Sequence, residues 1–278
     1  MTSYLNQQFD FSDSSLVSSL DELPIWSSYF GGLILDRIKF SHNANILDVG
    51  CGTGYPLLEI AQRFGSTSTV YGIDPWGKAL ERAEFKKNAM NLQNVKLIEH
   101  NAEDLPFEDN FFDLVVSNNG VNNVEDPHKV FKECFRVSKT GAQFLFTVNL
   151  PGSMIEFYDV FEAVLKESAL CDKIEEMKKH IIHKRKTVRV NVSMAEQAGF
   201  AVNDIATGQF LIRFCDAAAM FNHHFIKIAF LDSWKQLVPA QQMDDIFSRI
   251  ERRLNKIASE KGELALTIPY ACFDCLKK

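Results

Sequence analysis

Two carboxylates and a run of glycines are the residues of this chain whose types and spacing suit chemistry. Asp48 follows the apolar pair Ile46-Leu47, and Gly50, Gly52 and Gly54 then alternate with Cys51 and Thr53. Glycine is needed where backbone turns sharply or lets a ligand come close. Pro56 suits the first turn of a helix, and a helix N-terminus presents unpaired N–H groups with partial positive charge. Asp74 comes about 20 residues after the glycines, at the end of an apolar stretch, where a carboxylate suits ribose hydroxyls. Its other reading is a helix N-cap. Pro75 and Trp76 come next. They suit an adenine face, and Trp76 suits a core equally. The chemistry implied is capture of a nucleoside-bearing ligand.

Other reactive side chains lie further along. His223 and His224 stand in the aromatic stretch Met220–Phe230. Adjacent residues on a helix point about 100° apart, so at most one faces a given pocket. Either is a candidate base, and a core or surface histidine is the alternative. Tyr158 and Glu156 are further candidates. Trp26 and Tyr29 belong to an N-terminal arm that suits closure over a ligand or plain packing. Asn118, Asn119, Asn122 and Asn123 cluster at a strand end. Asn118 suits contact with a cofactor, and Asn122 or Asn123 orientation of a substrate; loop filler is the other reading. Cys272 and Cys275 are spaced C-x-x-C, but on a strand they point to opposite faces, so no metal site is expected. The basic run Lys178–Arg189 reads as a solvated helix end, or as a contact for an anionic substrate or membrane surface.

These residues need a scaffold. Strands are predicted at Asn45–Val49, Thr69–Ile73, Val95–Glu99, Phe112–Ser117 and Gln143–Val148, alternating with helices at Pro56–Phe64, Gly77–Asn91 and Pro127–Ser138. Such alternation implies a parallel sheet covered on both faces. The apolar pattern of residues 23–40 predicts a helix interrupted at Gly31-Gly32. Ser153-x-x-Glu156 and Ser193-x-x-Glu196 read as capping boxes, with Gly199 ending the second helix. Phe200–Phe214 and Leu264–Asp274 read as late strands, and Gln241–Glu260 as an amphipathic helix ending at Gly262.

Composition adds limits. The chain has 278 residues, 30 Lys+Arg against 36 Asp+Glu, and a net charge of −6. That balance counts against a nucleic-acid partner. No stretch is apolar enough for an integral membrane segment. The N-terminus does not read as a secretory signal, and six cysteines do not suggest a disulfide scaffold, so a cytoplasmic location is expected. Phenylalanine is abundant, at 23 residues. One group, Phe200, Phe210, Phe214, Phe221, Phe225 and Phe230, suggests a chamber wall and a partly apolar or aromatic substrate.

The stretch Asp48–Gly54 resembles motif I of the class I S-adenosylmethionine (SAM) methyltransferases. Asn101-Ala-Glu-Asp-Leu-Pro-Phe107, followed by Phe111-Phe-Asp-Leu-Val-Val-Ser117, resembles that family's next motifs, with Asn101 where the family often has Asp. The resemblance is nearest the branch with quinone-biosynthesis, biotin-pathway and sterol-type methyltransferases, and spans residues 46–148. It implies SAM as cofactor and a small-molecule acceptor. It also implies an α/β, Rossmann-like doubly wound sheet of seven strands, the last antiparallel, with helical insertions after strands five and six. The expected organisation is one domain over 1–278. An N-terminal helical arm (1–40) and SAM-binding core (41–150) are joined by insertions forming a substrate lid (151–192, 215–262) and by closing strands (193–214, 263–278). By residue-wise transfer, Asp48, Gly50, Cys51, Gly52, Gly54, Asp74, Pro75, Trp76, Ala102, Glu103, Asn118 and Tyr29 would bind the cofactor. Ala102 and Glu103 would meet the adenine, and Asp48 the ammonium side. Asn123 stands where the family often has a histidine, so it joins His223 and His224 as a catalytic candidate, and the family's base is in doubt. Two rivals remain: an NAD(P)-dependent Rossmann oxidoreductase, against which the G-x-G-x-G spacing counts, and a non-catalytic SAM-binding protein.

Overall fold

The computed structural model describes residues 3–278. Helices α1 (Ser14–Glu22) and α2 (Ile25–Leu35) precede β1 (Asn45–Val49), α3 (Leu57–Phe64), β2 (Thr69–Asp74), α4 (Gly77–Ala89) and β3 (Val95–Glu99). Next come β4 (Phe112–Asn118), α5 (Pro127–Val137), β5 (Ser138–Asn149), α6 (Ile155–Glu167), α7 (Cys171–Lys184), α8 (Val188–Ala198) and β6 (Phe200–Phe214). The short helices α9 (Ala217–Asn222), α10 (His224–Ile226) and α11 (Asp232–Lys235), then α12 (Met243–Lys261), lead to β7 (Leu264–Lys277). The seven strands form one sheet in the order β3-β2-β1-β4-β5-β7-β6. Pairings are parallel from β3 through β5, and β7 runs antiparallel to β5. This is the doubly wound sheet with an antiparallel last strand that the sequence predicts.

The central strands are apolar because both faces are covered. Ile46 and Leu47 of β1, Val115 and Val116 of β4, and Phe144, Leu145 and Phe146 of β5 are all fully buried. Asp126 caps α5, its carboxylate accepting from the Lys129 amide at 3.2 Å, with Pro127 in the first turn.

By its contacts the chain divides into two compact units. A sheet unit comprises Phe11–Asn149, Lys186–Gly208 and Tyr270–Lys278; a helical unit comprises the chain up to Asp10, Leu150–Arg185 and Gln209–Pro269. The helical unit has its own aromatic core. Trp234 stacks on Phe157 with centroids 3.9 Å apart, and Phe221 stacks on Tyr4 at 4.7 Å and packs edge-on against Phe247. Phe221 is therefore core, and Phe200 packs in the sheet unit against Phe135 and Phe144. Packing accounts for these two members of the proposed chamber wall; Phe225 and Phe230 are half-buried.

Three local expectations differ from the structure. Helix α2 runs through Gly31-Gly32 without a break. A Cβ at Gly31 would lie 2.3 Å from the Tyr55 ring, so this glycine admits a close neighbour and does not end a helix. The Ser153 capping box does not form: α6 starts at Ile155, and Glu156 instead accepts hydrogen bonds from the Thr267 amide and hydroxyl. The Ser193 box fails too, because Thr187 caps α8 earlier by accepting from the Val190 amide at 3.3 Å. Gly199 does end α8, in the left-handed conformation. Among the described residues, no helix is long and apolar enough to cross a membrane.

Candidate functional site

The sheet unit holds a cavity of about 820 Å³ at the C-terminal ends of its parallel strands, within the range of small-molecule sites. Val49 and Gly50 after β1, Ile73 to Pro75 after β2, His100 to Glu103 after β3, and Asn118 to Gly120 after β4 line it. The chain order turns outward from β1 to β2 on one side and to β4 on the other, so the cavity sits at the switch point where open α/β sheets take ligands. Trp26 and Ser27 of α2 complete one side.

Two glycines shape its floor. Gly50 has φ +78°, and a Cβ there would lie 3.1 Å from the Gly120 Cα. A Cβ at Gly120 would meet the Val49 carbonyl oxygen at 2.6 Å. Two backbones thus touch where side chains would fill the space. Gly120 stands among four asparagines in the sequence, and its need for close approach is set by Val49 and Gly50, distant along the chain.

The loop after β1 differs from expectation in its donors. The amides of Gly50 and Cys51 both donate to the Ile73 carbonyl, at 2.8 and 3.1 Å. Gly52 donates to the Asp74 carboxylate at 2.9 Å, and Gly54 to the Cys51 carbonyl at 2.8 Å. These four N–H groups are spent inside the protein, so the loop presents shape and not a cradle of donors. The Cys51 side chain is buried, facing the place where a Gly72 Cβ would be.

The cavity is acidic. Asp74, Glu103, Glu125 and Asp126 line it against a single lysine, Lys129. Asp74 also accepts from the Trp76 amide at 2.8 Å, while the N-cap position of α4 belongs to Trp76. Asp74 is thus a cavity acid tied to the glycine loop, and not the helix cap. Burial raises its pKa above the ordinary carboxylate range, against the pull of the Trp76 and Gly52 amides. Glu103 accepts from the Glu125 amide at 3.0 Å, which ties the post-β3 loop to the segment entering α5. Asp48 is fully buried behind the wall, both carboxylate oxygens without a hydrogen-bond partner. Burial first, then Asp74, pushes its pKa up to about 8, against the pull of the nearby Leu57 amide.

The asparagine cluster serves two ends. Asn122 is buried, donating at 2.9 Å to Asn119 and to Asn149, so it holds strand ends together. Asn118 lines the cavity, donates to the Ser27 carbonyl and accepts from Thr147. Asn123 lines the cavity with its amide nitrogen donating to the Asn119 carbonyl.

The predicted cofactor residues divide accordingly. Gly50, Asp74, Pro75, Ala102, Glu103 and Asn118 meet in the wall. Asp48, Cys51, Gly52 and Gly54 do not line it. Trp76 is also outside the wall; its indole N–H donates to the Phe11 carbonyl at 3.0 Å. Tyr29 is 54% exposed and outside the wall, where Trp26 and Ser27 of the same helix stand instead. His223 and His224 belong to the helical unit and are not in this wall. Glu125, Asp126 and Lys129 were missed, since nothing local marks a loop acid as facing a ligand.

The family model described as "Methyltransferase domain" matches residues 40–199, more than half the chain. The chain belongs to that family. A demethylmenaquinone methyltransferase of Geobacillus stearothermophilus is 41% identical over 108 residues, 39% of this chain and 46% of the relative. One from Anoxybacillus flavithermus is 33% identical over 132 residues, 48% of this chain and 56% of the relative. The chain spans about half the length of the curated relatives it matches. Among solved structures, the YcgJ protein of Bacillus subtilis superposes with a TM-score of 0.61 at 17% identity, covering 90% of this chain and 99% of that one. A SAM-dependent methyltransferase from Aquifex aeolicus superposes at 0.53 with 20% identity, covering 72% and 93%. These likenesses establish the methyltransferase fold.

Proposed function

We propose that this methyltransferase-domain protein binds SAM in the sheet-unit cavity and transfers its methyl group to a small-molecule acceptor. The observation that carries the reading is the charge of the site. Four acids face one lysine, and the loop amides a pyrophosphate would need are already taken. A dinucleotide brings two phosphate charges to a helix N-terminus, and this site would repel them. A sulfonium and an ammonium balance such a cavity.

SAM supplies an activated methyl group, so the protein's part is chiefly positioning and exclusion of water. Asp74 would take the ribose hydroxyls, Pro75 and Ala102 would flank the base, and Glu103 would accept from its amino group. Gly50 and Gly120 leave room for the ligand to lie against backbone. Asn118 holds α2 to the cavity rim through Ser27. Asn123 cannot act as a base, and its part is orientation. A protonated acceptor needs a base, and His223 and His224 stand outside the cavity wall. The names of the bacterial relatives, demethylmenaquinone methyltransferases, support a small-molecule acceptor.

Calorimetric titration tests the reading. SAM and its demethylated product should bind with micromolar affinity and NAD should not. Binding of NAD without binding of SAM would falsify it.

A further inference from the structure

Arg185 follows the last turn of α7, within the basic run of the sequence, and is 5% exposed. Its Nη1 is buried without a hydrogen-bond partner. Its Nη2 donates a long hydrogen bond of 3.4 Å to the Tyr158 hydroxyl, and the guanidinium lies 5.1 Å from the Tyr158 ring centroid. Nearby basic side chains find acids: Lys178 pairs with Glu162, and Arg249 and Arg253 with Glu167. Among the described residues, Arg185 joins no ion pair. One long hydrogen bond and a ring face compensate poorly for a buried cation.

Tyr158 points to what is missing. It is 4% exposed. Its hydroxyl accepts from Arg185 and, at 3.1 Å, from the Trp234 indole N–H. Both lone pairs are engaged, so the hydroxyl hydrogen is left to donate. A guanidinium N–H and a phenol O–H, side by side and unspent, match two oxygens of one anion. The flank is aromatic: Trp234 stacks between Phe157 and Phe230, and Phe230 meets Phe225 edge-on. Phe230 lies on the π-helical turn Lys227–Leu231, an irregularity that recurs at functional sites. His180 reports the uncompensated charge. Burial lowers its pKa, and Arg185, Lys184 and His183 lower it further.

We propose that Arg185 and Tyr158 form an oxyanion site in the helical unit, which takes the carboxylate or phosphate of an acceptor with an apolar, aromatic-sized body. The assignment of the ligand as acceptor rests on the methyl-transfer reading; the anion site itself does not.

The test uses the full chain, with benzoate and phenyl phosphate as probes and benzyl alcohol as the neutral control, at matched ionic strength. Either anion should raise the Tm of the wild-type protein, with benzyl alcohol giving no rise, and the stronger response names the oxyanion. Arg185→Met should lose that response, with anion affinity falling about tenfold or more. Its ligand-free Tm should hold or rise, since an uncompensated charge is gone. Arg185→Lys keeps the charge without the fork and should bind the anion weakly, which serves if the Met variant does not fold. Calorimetry with SAM should give the wild-type affinity in both variants. No anion-dependent rise in the wild-type protein, or an equal rise in Arg185→Met, overturns the site. Failure of the wild-type protein to bind SAM would instead count against the methyl-transfer reading and leave the anion site standing.

Discussion

Asp48 and Asp74 carry different parts of the cofactor argument, and each makes its own prediction. Asp48 is fully buried beside Asp74, and its folded pKa of about 8 lies well above the ordinary carboxyl value near 3.9. Between about pH 4 and 8 the native state keeps a proton that the unfolded chain has lost, so this group's contribution to stability declines as pH rises through that window. Asp48→Asn should therefore match the wild-type Tm near pH 4 and exceed it at pH 8, in ligand-free melts. Parallel profiles would remove Asp48 from the account. Asp74 is held by the Gly52 and Trp76 amides as well as facing the cavity. Asp74→Ala should weaken SAM binding about tenfold or more, because charged hydrogen bonds are lost. Asp74→Asn keeps an acceptor for the loop but not the charge. If it binds SAM as the wild-type protein does, the acid serves the loop alone.

At the scale of elements, capping and close approach decide which helices form. Thr187 is the side chain that starts α8, and Thr187→Ala should cost about 1 kcal/mol by chemical denaturation. An unchanged midpoint would show that packing of α8 suffices. Gly120→Ala should lower both stability and SAM affinity, since its methyl would meet the Val49 carbonyl inside the cavity floor; normal binding would place the floor elsewhere. The parallel strands, the glycine turn and Asp74 were legible in the sequence because strand periodicity, glycine spacing and charge are local properties. The Ser153 box was misread for the opposite reason. Glu156 has a better partner in Thr267, which local spacing does not reveal. Gly31 misled similarly, its need being set by the Tyr55 ring. The consumption of the loop amides by Ile73 and Asp74 was equally hidden, yet it separates a SAM site from a dinucleotide site.

For the whole molecule, the consequential feature is that every residue of the cavity wall belongs to the sheet unit, while Phe157, Phe221, Trp234 and Phe247 pack with one another in the helical unit. Phe157 is fully buried there, against Trp234, Tyr158, Phe161 and Phe221. Phe157→Ala removes a large buried ring and should cost about 3–5 kcal/mol. Stability should then part from cofactor binding. Denaturation of the variant should begin earlier by tryptophan fluorescence, because Trp234 loses the closer of its two stacked rings. The protein that remains folded should titrate with SAM at the wild-type affinity, because no atom of the wall has changed. A SAM affinity that falls in step with the lost stability would show the cavity drawing its shape from the helical unit. The sheet unit could then no longer be taken as the complete cofactor site.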